Sequence, residues 1–423
     1  MSDSFAQSAA LPFLGKRVAV LLYSSYPSDP RPRRAAESMA ELGASVEVIC
    51  LRQRDDEPAV ETIGRVHVRR LAQKHKRGGK LTYFWQYFAF ICATFFILGA
   101  RTLRRRYDLV HVHNMPDVLV FSALVPKLRG ARVLLDLHDP MPELMMTIFG
   151  ERRQKLIRLL KHLEKWSMAR SHAVLTVNET CKKIFSGRSC RADKITVIMN
   201  SPDEKIFAFR PVAELAFPSR RERFAIMYHG SIVERHGLDL AVAALEQILP
   251  TCPTATLEIY GQKTPFLDQV LAAAKDSPVS QAVRYHGPKN LEQIVAAIRT
   301  SDVGVIPNRR SIFTELNTPT RIFEYLSQGL PVVAPRAPGI CDYFGDNDLA
   351  YFELGDATDL GRQLRRIHDE SSSVPSLVGR GQQVYLQHRW ANEKQALVDR
   401  TATLLGVPSS HASSPPVAAT VGI

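Results

Sequence analysis

FAIMYHGSIVERHGLDLAVAALEQI, residues 224–248, holds a strand, a loop and a helix in close succession. Phe224–Tyr228 is an apolar run bounded by a glycine turn, which reads as a buried strand. Leu238–Ile248 repeats its apolar residues at helical spacing. Between them Gly230 and Gly237 bracket a loop that carries Ser231, Arg235 and His236. Backbone N–H groups at a helix N-terminus, with a cation nearby, make an anion site. On spacing alone the loop also fits a plain turn with a solvated arginine.

The same alternation runs outward in both directions. Downstream, strands are predicted at Thr256–Tyr260, Val283–Tyr285, Val303–Ile306 and Pro331–Ala334, and helices at Leu291–Ile298 and Arg321–Gln328. Upstream, strands are predicted at Arg17–Tyr23, Ser45–Leu51, Leu109–Val112, Arg132–Leu137 and Ala173–Val177, with a helix over Arg33–Leu42. Strands alternating with helices predict parallel sheets. A polar, proline-containing stretch at Phe209–Arg223 separates the two series. A chain of 423 residues exceeds one ordinary core. The expected architecture is therefore α/β, with two doubly wound Rossmann-like domains, 1–208 and 209–406, facing an interdomain cleft. Residues 407–423 are expected to be a disordered tail. Ligands of such folds sit beyond the carboxyl ends of the strands.

Charge divides the chain unevenly. Residues 1–200 hold 33 Lys and Arg against 18 Asp and Glu, whereas the whole chain carries +13. The excess implies an anionic partner for the first half, either nucleic acid or anionic lipid. Aromatic residues are not interleaved with the basic ones outside Tyr83–Phe96, which speaks against nucleic acid. Tyr83–Gly99 runs 17 residues without a charge, between Lys74, Lys76, Arg77 and Lys80 on one side and Arg101, Arg104, Arg105 and Arg106 on the other. Core, spanning and interfacial helices all remain open. Basic flanks on both sides favour a helix lying on an anionic membrane surface. The six cysteines form no C-x-x-C pair, and no secretory signal precedes the first strand. A reducing cytoplasmic setting, peripheral to the inner face of the plasma membrane, is the expectation.

Two strand ends bring polar chemistry to one sheet edge in the first half. LLDLHDPMPE, from Leu134, delivers His138 and Asp139; DLVHVHNMPD, from Asp108, delivers His113 and Asn114. His111 and His113 are placed on alternate faces of their strand, so chelation of one metal is not expected, and His138 with Asp139 offers too few ligands. In the second half NTPTRIFEYLSQG, from Asn317, opens a helix at which Asn317, Thr318 and Thr320 can cap or donate. Glu324 lies on that helix and needs a partner, either Arg321 or a pair of ribose hydroxyls. A dinucleotide-dependent dehydrogenase is disfavoured, because no glycine follows the first strand at Ser24–Arg31.

Together these segments resemble the retaining GT-B glycosyltransferases often called glycosyl transferases group 1, over about Lys16 to Leu405. The resemblance implies transfer of a sugar from a nucleotide-diphosphate sugar, with no cofactor and no metal. It implies that His138 sits near the donor sugar, that the Gly230–Gly237 loop holds the diphosphate, and that Glu324 binds the ribose as the second glutamate of E-x7-E. Asn200, in VIMNSPDEKIF, resembles the stretch ahead of the family's second domain. Ser231 and His236 replace the basic residues usual in the loop, leaving Arg235 and Arg321 as the diphosphate cations. The first glutamate of E-x7-E falls at Leu316. On this resemblance His138, Asp139 and Arg235 are the catalytic candidates. Gly230, Ser231, Arg235, His236, Asn317, Thr318, Thr320, Arg321 and Glu324 would hold the donor, and His113, Asn114 and Arg31 would face the acceptor. A lipid-linked or other saccharide acceptor, in the bacterial surface-polysaccharide branch, is the expected partner. A GT-B epimerase and a non-catalytic basic scaffold are the alternatives.

Overall fold

The computed structural model describes residues 11–73, 80–150, 154–217 and 223–408. The first sheet contains β1 (Arg17–Ser25), β2 (Ser45–Leu51), β3 (Val60–Ile63), β4 (Val66–Leu71), β5 (Leu109–His113), β6 (Arg132–Leu137), β7 (Ala173–Thr176) and β8 (Ile195–Val197). Its order is β3-β4-β2-β1-β5-β6-β7-β8. Every pair is parallel except the edge hairpin β3–β4. The second sheet contains β9 (Phe224–His229), β10 (Ala255–Tyr260), β11 (Val283–Tyr285), β12 (Val303–Val305), β13 (Val332–Pro335) and β14 (Ala350–Phe352). It is wholly parallel, in the order β11-β10-β9-β12-β13-β14. The central strands are buried on both faces, which is why they read as unbroken apolar runs rather than alternating ones. The winding reverses between β1 and β5 and between β9 and β12. Crevices for ligands open at such switch points.

The expected boundary at 406 needs a correction. The last helix, Trp390–Leu405, crosses back to the first domain. Its Leu397, Val398 and Ala402 are buried in one cluster with Phe13, Val18 and Met39. Burying a large aliphatic side chain stabilises by about 1.5–3 kcal/mol, so this apolar stripe holds the helix there. Arg34 lies over the Trp390 ring at 4.7 Å, and Glu393 accepts the Met199 N–H at 2.7 Å. Of the expected tail, Val407 packs against the same cluster, and residues 409–423 lie outside the described residues.

The expected apolar helix spans Lys80–Arg104. One face is core: Phe90 and Leu98 are fully buried with Leu21 and Val112. The opposite face exposes Trp85 (61%), Phe88 (51%), Phe96 (69%) and Leu103 (65%). By length and composition the helix could cross a membrane. Lys74, Lys76 and Arg77 lie outside the described residues, as does the Lys80 side chain. Arg104, Arg105 and Arg106 are exposed. Arg101 is not available as a flanking charge, because it pairs with Glu47 at 2.7 Å.

Candidate active site

The two sheets present their carboxyl ends to one another. From the first domain, β6 ends at Leu137 and delivers His138, Asp139 and Pro140. From the second, Phe313, Leu316 and Asn317 close the opposite side. Together with Val177, Asn178 and Cys181 these residues line a cavity of about 10 Å³. Direct bonds hold the walls together. The Asn178 side chain donates to Leu316 O at 2.8 Å and to Thr318 Oγ1 at 3.0 Å. The Glu179 N–H donates to Tyr343 Oη at 2.8 Å, and Lys183 pairs with Asp342 at 2.6 Å. A cavity of that size holds about one water.

The second domain's Gly-bracketed loop, which does not line that cavity, is built by residues 224–248. β9 ends at His229, the loop turns at Gly230, and the helix Leu238–Ile248 begins at Gly237 without a side-chain cap. Gly237 has φ +63°, and a Cβ there would lie 1.9 Å from Pro307 O, so the close approach of this loop to the one after β12 requires glycine. The loop's cation is Arg235, whose Nε is buried with no hydrogen-bond partner among the described residues. Arg321 donates to His229 O at 2.8 Å, and its guanidinium lies over the Tyr228 ring at 4.9 Å. His236 bonds Ser231 O through Nδ1 at 2.8 Å. Burial, reinforced by Arg321, lowers its pKa to about 4, so it is neutral at pH 7 and adds no charge to the loop. Across the cleft, burial raises the Asp139 pKa and the Arg235 charge opposes that rise.

Residues 28–201 match the family Glycosyl transferase 4-like domain, and residues 223–370 match Glycosyl transferases group 1. The chain is a GT-B glycosyltransferase. A glycogen synthase of Mycobacterium tuberculosis is 26% identical over 192 residues, 44% of this chain and 42% of that protein. The chain thus matches less than half the length of this curated relative. Sucrose-phosphate synthase from Thermosynechococcus elongatus superposes with a TM-score of 0.75 at 17% identity, covering 92% of this chain and 99% of that one. Anabaena Alr3699/HepE in complex with UDP-glucose superposes with a TM-score of 0.69 at 14% identity, covering 92% and 99%.

In this glycosyltransferase Glu324 lies on the helix Thr320–Ser327, 3.2 Å from His229 Nε2 but without hydrogen-bond alignment. Burial raises the Glu324 pKa to about 7, against the opposing pull of Arg321 and Arg34. Burial and Arg321 together lower His229 to about 3. Sequence reasoning missed His229. Its signal was a polar residue ending an otherwise apolar strand directly before Gly230.

Three expectations change in the structure. Pro319 occupies the N-cap of the helix Thr320–Ser327, so neither Asn317, Thr318 nor Thr320 caps it. Thr318 instead donates to Gly339 O at 2.5 Å and accepts from Asn178. The acceptor-side candidates Arg31, His113 and Asn114 are buried, at 7%, 1% and 8% exposure. They form a framework rather than an open surface. Arg31 grips Asp136 at 2.7–3.1 Å and reaches Ile198 O and Asn200 Oδ1. Asn114 holds the His138 backbone N–H at 2.8 Å.

His111 and His113 do not lie on alternate faces. Residues i and i+2 of a strand share a face, and the two rings stand 4.2 Å apart. With Asp136 their ligand atoms lie within 4.8 Å of one another, a metal-like spacing. Charge argues against that use, because Arg31 already neutralises Asp136. The D-x-D triplet Asp346–Asp348 is also engaged: Arg336 pairs with Asp346, and Asp348 accepts the Gly345 N–H.

Proposed function

We propose that the protein is a retaining glycosyltransferase that takes its sugar from a nucleotide-diphosphate donor. The observation that carries this reading is the uncapped N-terminus of the helix Leu238–Ile248 beside Arg235 and Arg321. The leaving diphosphate gains negative charge as the glycosidic bond breaks. Fixed cations and helix N–H groups aimed at it lower the barrier, and no metal is needed for that charge. The leaving phosphate can take the acceptor's proton, so the mechanism requires no protein nucleophile. The UDP-glucose bound to HepE, which shares this fold, supports a sugar nucleotide as donor.

A screen of nucleotide sugars by thermal stabilisation tests the donor. The right compound at about 100 times its Kd adds about 2.7 kcal/mol of stability. Failure of every nucleotide sugar to stabilise the protein would remove this reading.

Donor affinity also carries a pH signature. Ribose hydroxyls donate to a carboxylate, so binding requires Glu324 in its ionised form. Its pKa in the free protein is raised to about 7. As pH falls below that value, the proton must be expelled before the donor binds. Affinity for a nucleotide sugar is expected to weaken by up to about tenfold per pH unit there and to level off above pH 7. Calorimetry across pH 5.5–8.5 reads this slope, and Glu324→Gln should flatten it.

For the acceptor we favour a lipid-linked saccharide of bacterial surface-polysaccharide assembly, reached at the inner face of the plasma membrane. The exposed apolar stripe of Lys80–Arg104 and the arginines at its end support that placement.

A further inference from the structure

The resemblance implies that His138 sits near the donor sugar, and one of its ring nitrogens is already committed. Its Nε2 lies 2.9 Å from His113 Nδ1. We infer that His113 is a positioning residue: it fixes the ring and tautomer of His138, so that His138 carries its proton on Nδ1 and offers that N–H to the donor sugar. The catalytic half of this inference rests on the proposed donor site; the tautomer does not.

The argument starts from Asp136. This carboxylate is 2% exposed and stands at the centre of the cluster. Burial alone would raise its pKa, but the Arg31 guanidinium and the neighbouring imidazoles hold it well below the usual range, so it is ionised. Its Oδ2 lies 3.4 Å from His113 Nδ1, 3.6 Å from His111 Nε2 and 3.8 Å from His138 Nε2. Burial also keeps His113 and His138 neutral. A neutral imidazole carries one proton, and two placements are available.

If His113 held its proton on Nε2, the bare Nδ1 lone pair would face an ionised carboxylate at 3.4 Å. The Nε2–H would also be an orphaned donor, because that buried atom has no partner among the described residues. If the proton sits on Nδ1, it points at His138 Nε2 with Asp136 Oδ2 close behind. The atom left without a partner is then an acceptor, and buried orphan acceptors are tolerated better than orphan N–H donors. The second placement is therefore favoured. It forces His138 Nε2 to accept, which puts the His138 proton on Nδ1. The backbone of His138 is pinned by its bond to Asn114 Oδ1, and its side chain remains 20% exposed beside the cavity. Such an arrangement fixes a ring nitrogen before substrate arrives, as in other sites where a buried partner sets the tautomer of a working histidine.

The test separates the tautomer from the activity. Long-range ¹H–¹⁵N spectra of histidine-labelled protein report which nitrogen of each ring is protonated, and His138→Ala identifies its signals among the 13 histidines. Wild-type His138 is expected as the Nδ1–H form. His113→Leu, which fills the space without a donor, should shift it toward Nε2–H. It should also lower kcat by about 10- to 100-fold with the donor KM within about twofold. His113→Asn keeps an N–H at the same distance from Cβ and should retain the tautomer and most of kcat. The double variant with His138→Ala should be no slower than His138→Ala alone. An Nε2–H form in wild-type protein, or an unchanged tautomer in folded His113→Leu, overturns the inference. The expected tautomer in a protein that transfers no sugar would leave the ring assignment standing and remove the donor-site reading instead.

Discussion

Replacing Arg235 by alanine is expected to lower kcat by about 100- to 1000-fold while leaving the protein folded, the scale of losing one donor to a developing anion. The side chain contributes little to the fold itself. Its Nε is buried and unsatisfied, which costs about 1–3 kcal/mol until an acceptor arrives. A diphosphate oxygen would supply that acceptor. Glu324→Ala should act differently, weakening donor binding by about 10- to 100-fold, because it removes hydrogen bonds made in ground and transition states alike. Steady-state kinetics with the stabilising nucleotide sugar read both effects, and circular dichroism checks the fold. Near-normal kinetics in both variants would detach the diphosphate and ribose from these residues.

Reversing Arg104, Arg105 and Arg106 to glutamate should release the protein from anionic vesicles. Each basic residue near an anionic surface contributes about 1 kcal/mol, so losing three weakens partitioning by about 150-fold, before any added repulsion. The effect should shrink as salt shortens the Debye length. Arg101 is left unchanged, because its bond to Glu47 belongs to the fold. Trp85→Ser with Phe96→Ser tests the apolar contribution separately, and its effect should survive high salt. Co-sedimentation with phosphatidylglycerol vesicles provides the measurement. Wild-type protein that stays in the aqueous phase at low salt would end the membrane reading, and the exposed stripe would then belong to a protein partner.

Much of the fold was legible because buried parallel strands write themselves as short apolar runs between glycine turns. Arg132–Leu137 and Ser45–Leu51 appear in the structure with the predicted bounds. The hairpin β3–β4 was not legible: VETI and VHVRRL interleave charges with their apolar residues, as an edge hairpin can. The return of Trp390–Leu405 to the first domain was equally silent, since an amphipathic stripe does not say which core it covers. In the site, the Gly-bracketed loop and Glu324 could be found locally, because loop and helix carry their own punctuation. Asp136 could not be placed by motif. A carboxylate inside LLDL demands a partner, yet the answering Arg31 lies 105 residues away. His111 and His113 share a face because strand residues two apart do, and the 4.2 Å between their rings, rather than the burial common to the whole strand, is what shows it.

The returning helix also fixes what can be cut from this protein. Two chain segments, one near residue 209 and one near residue 389, cross between the halves, so the first half is discontinuous in sequence. A fragment ending at 208 would lack the lid over Phe13 and Val18 and expose that cluster to water. A fragment starting at 209 would carry an orphaned apolar helix with nothing to cover. Truncation from the C-terminus into Leu397 would therefore unfold the N-terminal half first, the half farthest away in sequence. Separate production of the halves requires grafting residues 390–407 onto the first, and any opening of the cleft must bend both segments together, as a door turns on two hinges rather than one tether.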